Sequence, residues 1–369
     1  IEEHAPRPFL PNTPAIDRFP HALWQQCMSR QARAAYRGNL GYCDPAGFPG
    51  LRKAIAGYLA LHRNDACDPD QIVITPGAHS GFMLAAMLLS NPGEAIAAED
   101  PGPYLIRSMF AVLGRRMVHL PVDGDGMVIG TALAPDPGIR MVLAMPSRQH
   151  PLGRTLKLER RLQLLDWART QGGWILEDDY DSEFRYTGRP LPSINSIDRS
   201  GRVIYAGTFS KALFPALRLG YLVLPPELVA PFRAATALML RCVPLIPQMA
   251  LAEFIAEGHF ATHLRRMRDL YAQRRDQFLA AAQKAGAGLF HVERPDSGMN
   301  ALLWLPEGLD DRQIAARAAA AGVHGYALSD YFLGAPGRPG LLLGFTDVAQ
   351  HQFEPGLETV ARILREAMA

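Results

Sequence analysis

Lysine is scarce in this 369-residue chain: 38 residues are Lys or Arg, yet the lysines are only Lys53, Lys157, Lys211 and Lys284. Chemistry that needs a primary amine therefore has four candidates. Cysteine is scarce too. Cys27, Cys43, Cys67 and Cys242 lie far apart and make no C-x-x-C pair, which excludes a disulfide framework and points to a reducing cytoplasm. No run approaches the roughly 18 apolar residues of a membrane span. The net charge is only +2, so no strong field recruits nucleic acid or an anionic membrane. No G-x-G-x-x-G follows a strand, and the eleven histidines form no H-E-x-x-H cluster. Dinucleotide binding is thus disfavoured and no metal is expected. The chain begins at Ile1 without a signal peptide, and so reads as a fragment or a processed chain.

What is present is ordinary for a globular protein. Hydrophobic residues make up 48% and charged residues 20%, which excludes disorder for most of the chain. The length suits two domains, or one large α/β domain with an appendage. Five prolines in residues 1–20 predict an extended arm. Helical spacing follows at 22–37 and 49–62. Short apolar runs at 71–75, 94–98, 115–120, 139–144, 173–177, 202–206 and 219–224 read as strands, with helices at 78–90, 102–113 and 157–171. That alternation predicts a mostly parallel sheet with crossover helices. Helices dominate from 226 to 286, then strands and helices alternate to a last helix at 353–368. The expected division is an arm and first helix over 1–40, a large domain over 41–255 and a small C-terminal α/β domain over 256–369.

Three constellations carry chemistry. Thr208-Phe209-Ser210-Lys211 ends a strand, and Arg218 follows seven residues later. A strand-end lysine with hydroxyls and an arginine suits a phosphorylated carbonyl compound, the lysine forming a Schiff base. The alternative is a surface lysine beside a helix start. Glu177-Asp178-Asp179-Tyr180-Asp181 ends another strand, at the edge where open α/β sheets bind ligands. One carboxylate there can pair with a protonated pyridine nitrogen, and Tyr180 with a phenolic oxygen; the alternatives are a solvated acidic turn or a metal cluster, which would want histidines at ligand spacing where none is nearby. Thr75-Pro76-Gly77-Ala78-His79 runs a strand into a helix whose free N–H groups favour a phosphate. Two other features read as bland. Val122 to Gly126 is a turn, and the arginines of 265–275 form a solvated helix face.

Together these pieces resemble the fold-type I pyridoxal phosphate (PLP) proteins, the aspartate aminotransferase fold. More narrowly they resemble the aminotransferase-like effector domain of MocR/GntR transcriptional regulators. The closest wording is EDDYDSEFRY from Glu177 and GTFSKALFPALRLG from Gly207, supported by GYCDPAGFPGL from Gly41 and PSRQHPLG from Pro146. The resemblance covers essentially the whole chain. It implies that Lys211 carries PLP as an internal aldimine and that Asp178 meets the pyridine nitrogen. It implies that Tyr180 meets the phenolic oxygen, and that Thr208, Ser210 and Arg218 form the phosphate cup with the backbone of Gly77, Ala78 and His79. Tyr42 matches a tyrosine lent across a homodimer interface.

The departures are as informative. His150 stands where aminotransferases place Asn. Tyr104 lies one residue beyond the usual ring-stacking aromatic, a position held here by Pro103. Asp330, in Leu328-Ser329-Asp330-Tyr331, replaces an arginine that binds an effector's carboxylate. The strand Leu341 to Phe345 lacks the usual carboxylate arginine, leaving Arg107, Arg148 or Arg338 as candidates to compensate. The implied function is effector binding and dimerisation in a regulator. A small amine or amino-acid-like effector would form an external aldimine, or PLP itself would be the signal. DNA would be a partner through a winged helix-turn-helix domain not found in this chain. The alternative is a working aminotransferase with Lys211 as general base.

Overall fold

The computed structural model describes residues 7–38, 41–133, 138–188 and 192–369. Its larger sheet is built from eight strands: β1 (Ile72–Thr75), β2 (Ala95–Asp100), β3 (Arg116–Asp123), β4 (Gly126–Met127), β5 (Ile139–Ala144), β6 (Trp174–Asp179), β7 (Val203–Thr208) and β8 (Gly220–Val223). Their order is β1-β8-β7-β6-β5-β2-β3-β4. The run β7-β6-β5-β2-β3 is parallel, while β8 is antiparallel to both β1 and β7. Strands such as β1 and β5 are buried on both faces, which is why they read as continuous apolar runs, Ile72-Val73-Ile74 and Met141-Val142-Leu143, whereas the outer β3 is largely exposed.

The helices are α1 (His21–Arg37), α2 (Pro49–Arg63), α3 (Ala78–Leu89), α4 (Tyr104–Val112), α5 (Gly130–Leu133), α6 (Leu158–Gln171), α7 (Ile194–Ile197), α8 (Pro226–Met239), α9 (Leu245–Ala256), α10 (His259–Ala285), α11 (Asp311–Ala320) and α12 (Phe353–Met368). A second, antiparallel sheet takes the order β11-β12-β10-β9. Its strands are β9 (His291–Val292), β10 (Asn300–Trp304), β11 (Tyr326–Ala327) and β12 (Gly340–Gly344). The boundary expected at 255/256 falls within the last turn of α9, just before α10. One apolar cluster nevertheless runs through both parts, from Leu51 and Tyr205 through Phe260, Tyr271 and Phe278 to Phe345 and Leu357.

The arm packs on the smaller unit: Gly344 N–H donates to the Phe9 carbonyl at 2.8 Å and His324 N–H to the Pro8 carbonyl at 3.0 Å. The buried Phe9 ring meets Phe353 of α12 edge-on at 6.1 Å, so apolar burial holds the arm there. One expectation needs correction: the arginines of α10 are not all solvated. Arg274 and Arg275 are buried, Arg274 against the Thr346 carbonyl and Arg275 with its guanidinium 4.7 Å from the Tyr186 ring centre. The turn at 122–126 is the β3–β4 connection, and Arg160 beside Asp123 holds that carboxyl down at about 2.

Candidate functional site

Strands β1, β2, β5, β6 and β7 point the same way, so their carboxyl ends share one edge. A cleft of about 380 Å³ lies there, lined by residues that include Ala78, His79, Tyr104, His150, Asp178, Tyr180, Thr208, Ser210, Lys211 and Arg218. Those ten come from five different chain segments. The structure also brings in Pro11, Asn12, Tyr326 and Tyr331, which the sequence reading did not single out.

The acidic run at the end of β6 is sorted by strand alternation. Glu177 and Asp179 face away from the cleft. Glu177 accepts from Ile194 N and Asn195 N, each at 2.9 Å, and so caps α7. Asp179 pairs with Arg63 at 2.7 Å and accepts from the Tyr205 hydroxyl at 2.6 Å. Asp178 and Tyr180 take the other face and line the cleft. Burial, aided by Asp179 and Asp181, pushes the Asp178 carboxyl up to about 8. It therefore tends to hold a proton at neutral pH.

Lys211 stands in the turn that follows β7, and its Nζ donates to the Asn12 carbonyl at 2.9 Å. Burial lowers its pKa, opposed by Asp181 and Asp178. Thr208 Oγ1 accepts from Ser210 N at 3.2 Å. Arg218 occupies the left-handed region at φ 50° and donates to the Pro76 carbonyl at 2.9 Å. Gly77, at φ +83°, lets that guanidinium approach, since a Cβ there would lie 3.1 Å from Arg218 Nη2. Arg218 and the first N–H groups of α3 thus converge. His150 lies between the Tyr180 and Tyr331 rings, at 6.0 and 5.0 Å. Burial, then Arg148 and Lys211, drive its pKa down to about 3, so it is neutral.

Residues 16–323 match the model of the aminotransferase class I and II family. The chain belongs to that family. Within it, the chain is 37% identical to the probable rhizopine catabolism regulatory protein MocR of Rhizobium meliloti, over 95% of this chain and 71% of the relative. It is 33% identical to the HTH-type transcriptional regulator TauR of Rhodobacter capsulatus, over 97% and 74%. The backbone is similar to that of Pyrococcus horikoshii kynurenine aminotransferase, with a TM-score of 0.90 at 25% identity, covering 100% of this chain and 93% of the other. Pyridoxal phosphate is the family's cofactor, and this chain's cofactor.

The residues present fit that group. Tyr180 Oη is buried without a hydrogen-bond partner among the described residues, a donor left over for a ligand oxygen. A primary amine, a protonated carboxyl, two hydroxyls and a guanidinium on a glycine cradle surround it. These are the donors that an aldehyde, a pyridine nitrogen and a phosphate require.

The structure does not bring the expected effector residues into the cleft. Arg107 is buried against Asp100 at 3.0 Å and also donates to the Tyr331 carbonyl. Arg148 donates to the carbonyls of Ser297 at 2.7 Å and Asn300 at 3.0 Å, beside Asp181 at 3.3 Å. Asp330 pairs with Arg312 at 2.6 Å on the outside. Each already has its partners, so none is free to meet an effector. Tyr104 lines the cleft and is 43% exposed. Tyr42 lies outside it, 88% exposed, with the Arg241 guanidinium 5.8 Å from its ring centre. Among the described residues, no helix is long and apolar enough to cross a membrane.

Proposed function

We propose that this chain is the effector-binding and dimerisation part of a MocR-type transcriptional regulator, with 41–255 as the cofactor-binding unit and 256–369 as the smaller unit. The observation that carries the reading is the convergence of Lys211, Asp178, Tyr180 and Arg218 on one cleft, in a chain 33–37% identical to regulators. Lys211 Nζ would hold the cofactor's aldehyde, Asp178 would face the ring nitrogen and Tyr180 the phenolic oxygen, while Thr208, Ser210, Arg218 and the first turn of α3 would hold the phosphate. When bound, PLP would supply an aldehyde carbon with which a primary amine can condense.

The reading includes a homodimer, supported by the 88% exposure of Tyr42, which a second copy would use at its own phosphate end. DNA is then a partner through a domain outside these residues, and the cytoplasm is the site of action.

A second reading, a working aminotransferase, is favoured by the lowered pKa of Lys211, which suits a general base. One titration separates the two. Purified protein loaded with PLP is mixed with amines and amino acids while its absorbance is followed. A band shift that persists without keto product marks the sensor. Conversion to pyridoxamine phosphate with release of a keto acid or aldehyde marks the enzyme. No shift with any compound leaves PLP itself as the signal.

A further inference from the structure

The cleft's positive charge is concentrated where a phosphate would sit. Arg218 is packed on Gly77, and Lys211 is committed to the cofactor on the reading above. Of the other cations nearby, Arg107 and Arg148 are buried in their own ion pairs, and Arg7, which acts on the Tyr326 phenol, lies outside the cleft lining. Arg338 lies with its guanidinium 5.6 Å from the Trp304 ring centre and donates to the Leu305 carbonyl at 3.3 Å. His150 titrates at about 3, and burial beside Arg218 lowers His79, so both rings are neutral at pH 7. Among the described residues lining the cleft, no further cation remains for a carboxylate. What the cleft offers instead is Tyr104, Leu105, Tyr326 and Tyr331. Tyr104 and Tyr331 meet edge to face at 6.2 Å.

We infer that this cleft selects a primary amine without a carboxylate, whose neutral body packs on Tyr104, Tyr326 and Tyr331. The physical reason is desolvation. A carboxylate carried into the cleft loses its water and gains no cation. A neutral aromatic or hydroxylated body loses little and gains ring contacts and phenol hydrogen bonds. The inference rests on the reading of the cleft as a PLP site open to amines.

The test is calorimetric and spectroscopic titration of the full PLP-loaded protein with matched pairs: 2-phenylethylamine and phenylalanine, tyramine and tyrosine, 3-methylbutylamine and leucine. In each pair the amine is expected to bind at least tenfold more tightly than its amino acid. Leu105→Arg, a cation placed at the exposed mouth, should raise amino-acid affinity at least fivefold. Equal or tighter binding of the amino acids overturns the inference while leaving an amine sensor intact, and so does an unchanged Leu105→Arg. If no amine or amino acid moves the cofactor's absorbance, the amine-sensing reading itself fails, and the inference with it.

Discussion

Lys211 Nζ donates to the carbonyl oxygen of Asn12 at 2.9 Å, joining residues 199 apart in sequence. Asn12 is itself held by two bonds to Asn300, one from its backbone N–H to Oδ1 and one from Nδ2 to its own Oδ1, each 2.7 Å. The arm, strand β10 of the smaller sheet and the lysine of the larger sheet thus meet at one residue. What occupies Lys211 decides whether the arm keeps that donor. This gives a local route from cofactor chemistry to the arm.

Lys211→Ala removes the amine and the bond to Asn12 together. The visible absorbance of lysine-bound cofactor should vanish. Stability should fall by only about 1 kcal/mol, the net worth of an ordinary hydrogen bond. Absorbance and urea unfolding of the same sample check both halves. A retained band would move the cofactor to another lysine.

Asp178→Asn separates cofactor binding from folding. Burial raises the wild-type carboxyl to about 8, so the folded state binds its proton where the unfolded chain has lost it. Stability therefore falls as pH rises from about 4 to about 8. The amide has no such cost, and the PLP-free variant should be the more stable of the two at pH 9. Its affinity for PLP should drop about tenfold, one lost charge-assisted contact at the ring nitrogen. Equilibrium dialysis and thermal melting measure the two effects.

Arg148→Ala should be among the most destabilising substitutions. Burial raises the Asp181 carboxyl to about 7 against the pull of Arg148, so without Arg148 it takes up a proton, and the carbonyls of Ser297 and Asn300 are left without their donor. The expected loss is about 2–4 kcal/mol, two buried acceptors left unsatisfied. Arg148→Lys should recover part of it by keeping the charge. Chemical unfolding gives the ranking, and similar stabilities for wild type and Arg148→Ala would mean that water replaces Arg148 as donor to the two carbonyls.

Much of this arrangement was legible in the sequence because it depends on local pattern. Continuous apolar runs marked the strands of the larger sheet, and Gly77 and Lys211 marked two of the turns that end at the cleft. The acidic run was visible as a group. Its division was set by strand alternation together with partners such as Arg63, more than a hundred residues away. Arg107, Arg148 and Asp330 looked available because their partners are distant: backbone carbonyls of Tyr331, Ser297 and Asn300, and the side chain of Arg312. Backbone acceptors leave no signature in residue identity. Asn12 was hidden for the same reason, since its carbonyl meets Lys211. Tyr331 lay beside a residue that drew attention for its charge, yet it is the tyrosine that reaches the cleft.

Asp330→Arg follows from that correction. The Asp330–Arg312 pair is about half exposed on each side, so losing it should cost less than about 1 kcal/mol. Because the side chain points outside the cleft, affinity for simple amino acids should not change. A clear gain on titration would mean that the smaller unit moves enough on binding to turn residue 330 inward.

His263 makes the acid side of the stability curve testable. Its ring is 4% exposed and its Nε2 lies 3.1 Å from the Ala212 carbonyl. Burial lowers its pKa to about 4 against the hydrogen bond, with Arg266 also lowering it. The unfolded chain takes up a proton near pH 6.5, which the folded chain refuses until about 4. Between those values the unfolded state binds more protons, so acidification destabilises the fold. Raised carboxylates such as Glu99, at about 8, act with the opposite sign, so the total curve cannot isolate one histidine. The difference from His263→Gln can, because the amide keeps a donor for Ala212 and does not titrate. From pH 7 down to pH 4, wild type should lose stability relative to this variant at up to about 1.4 kcal/mol per pH unit. Parallel curves for the two proteins would mean that the ring charges within the fold as easily as in water.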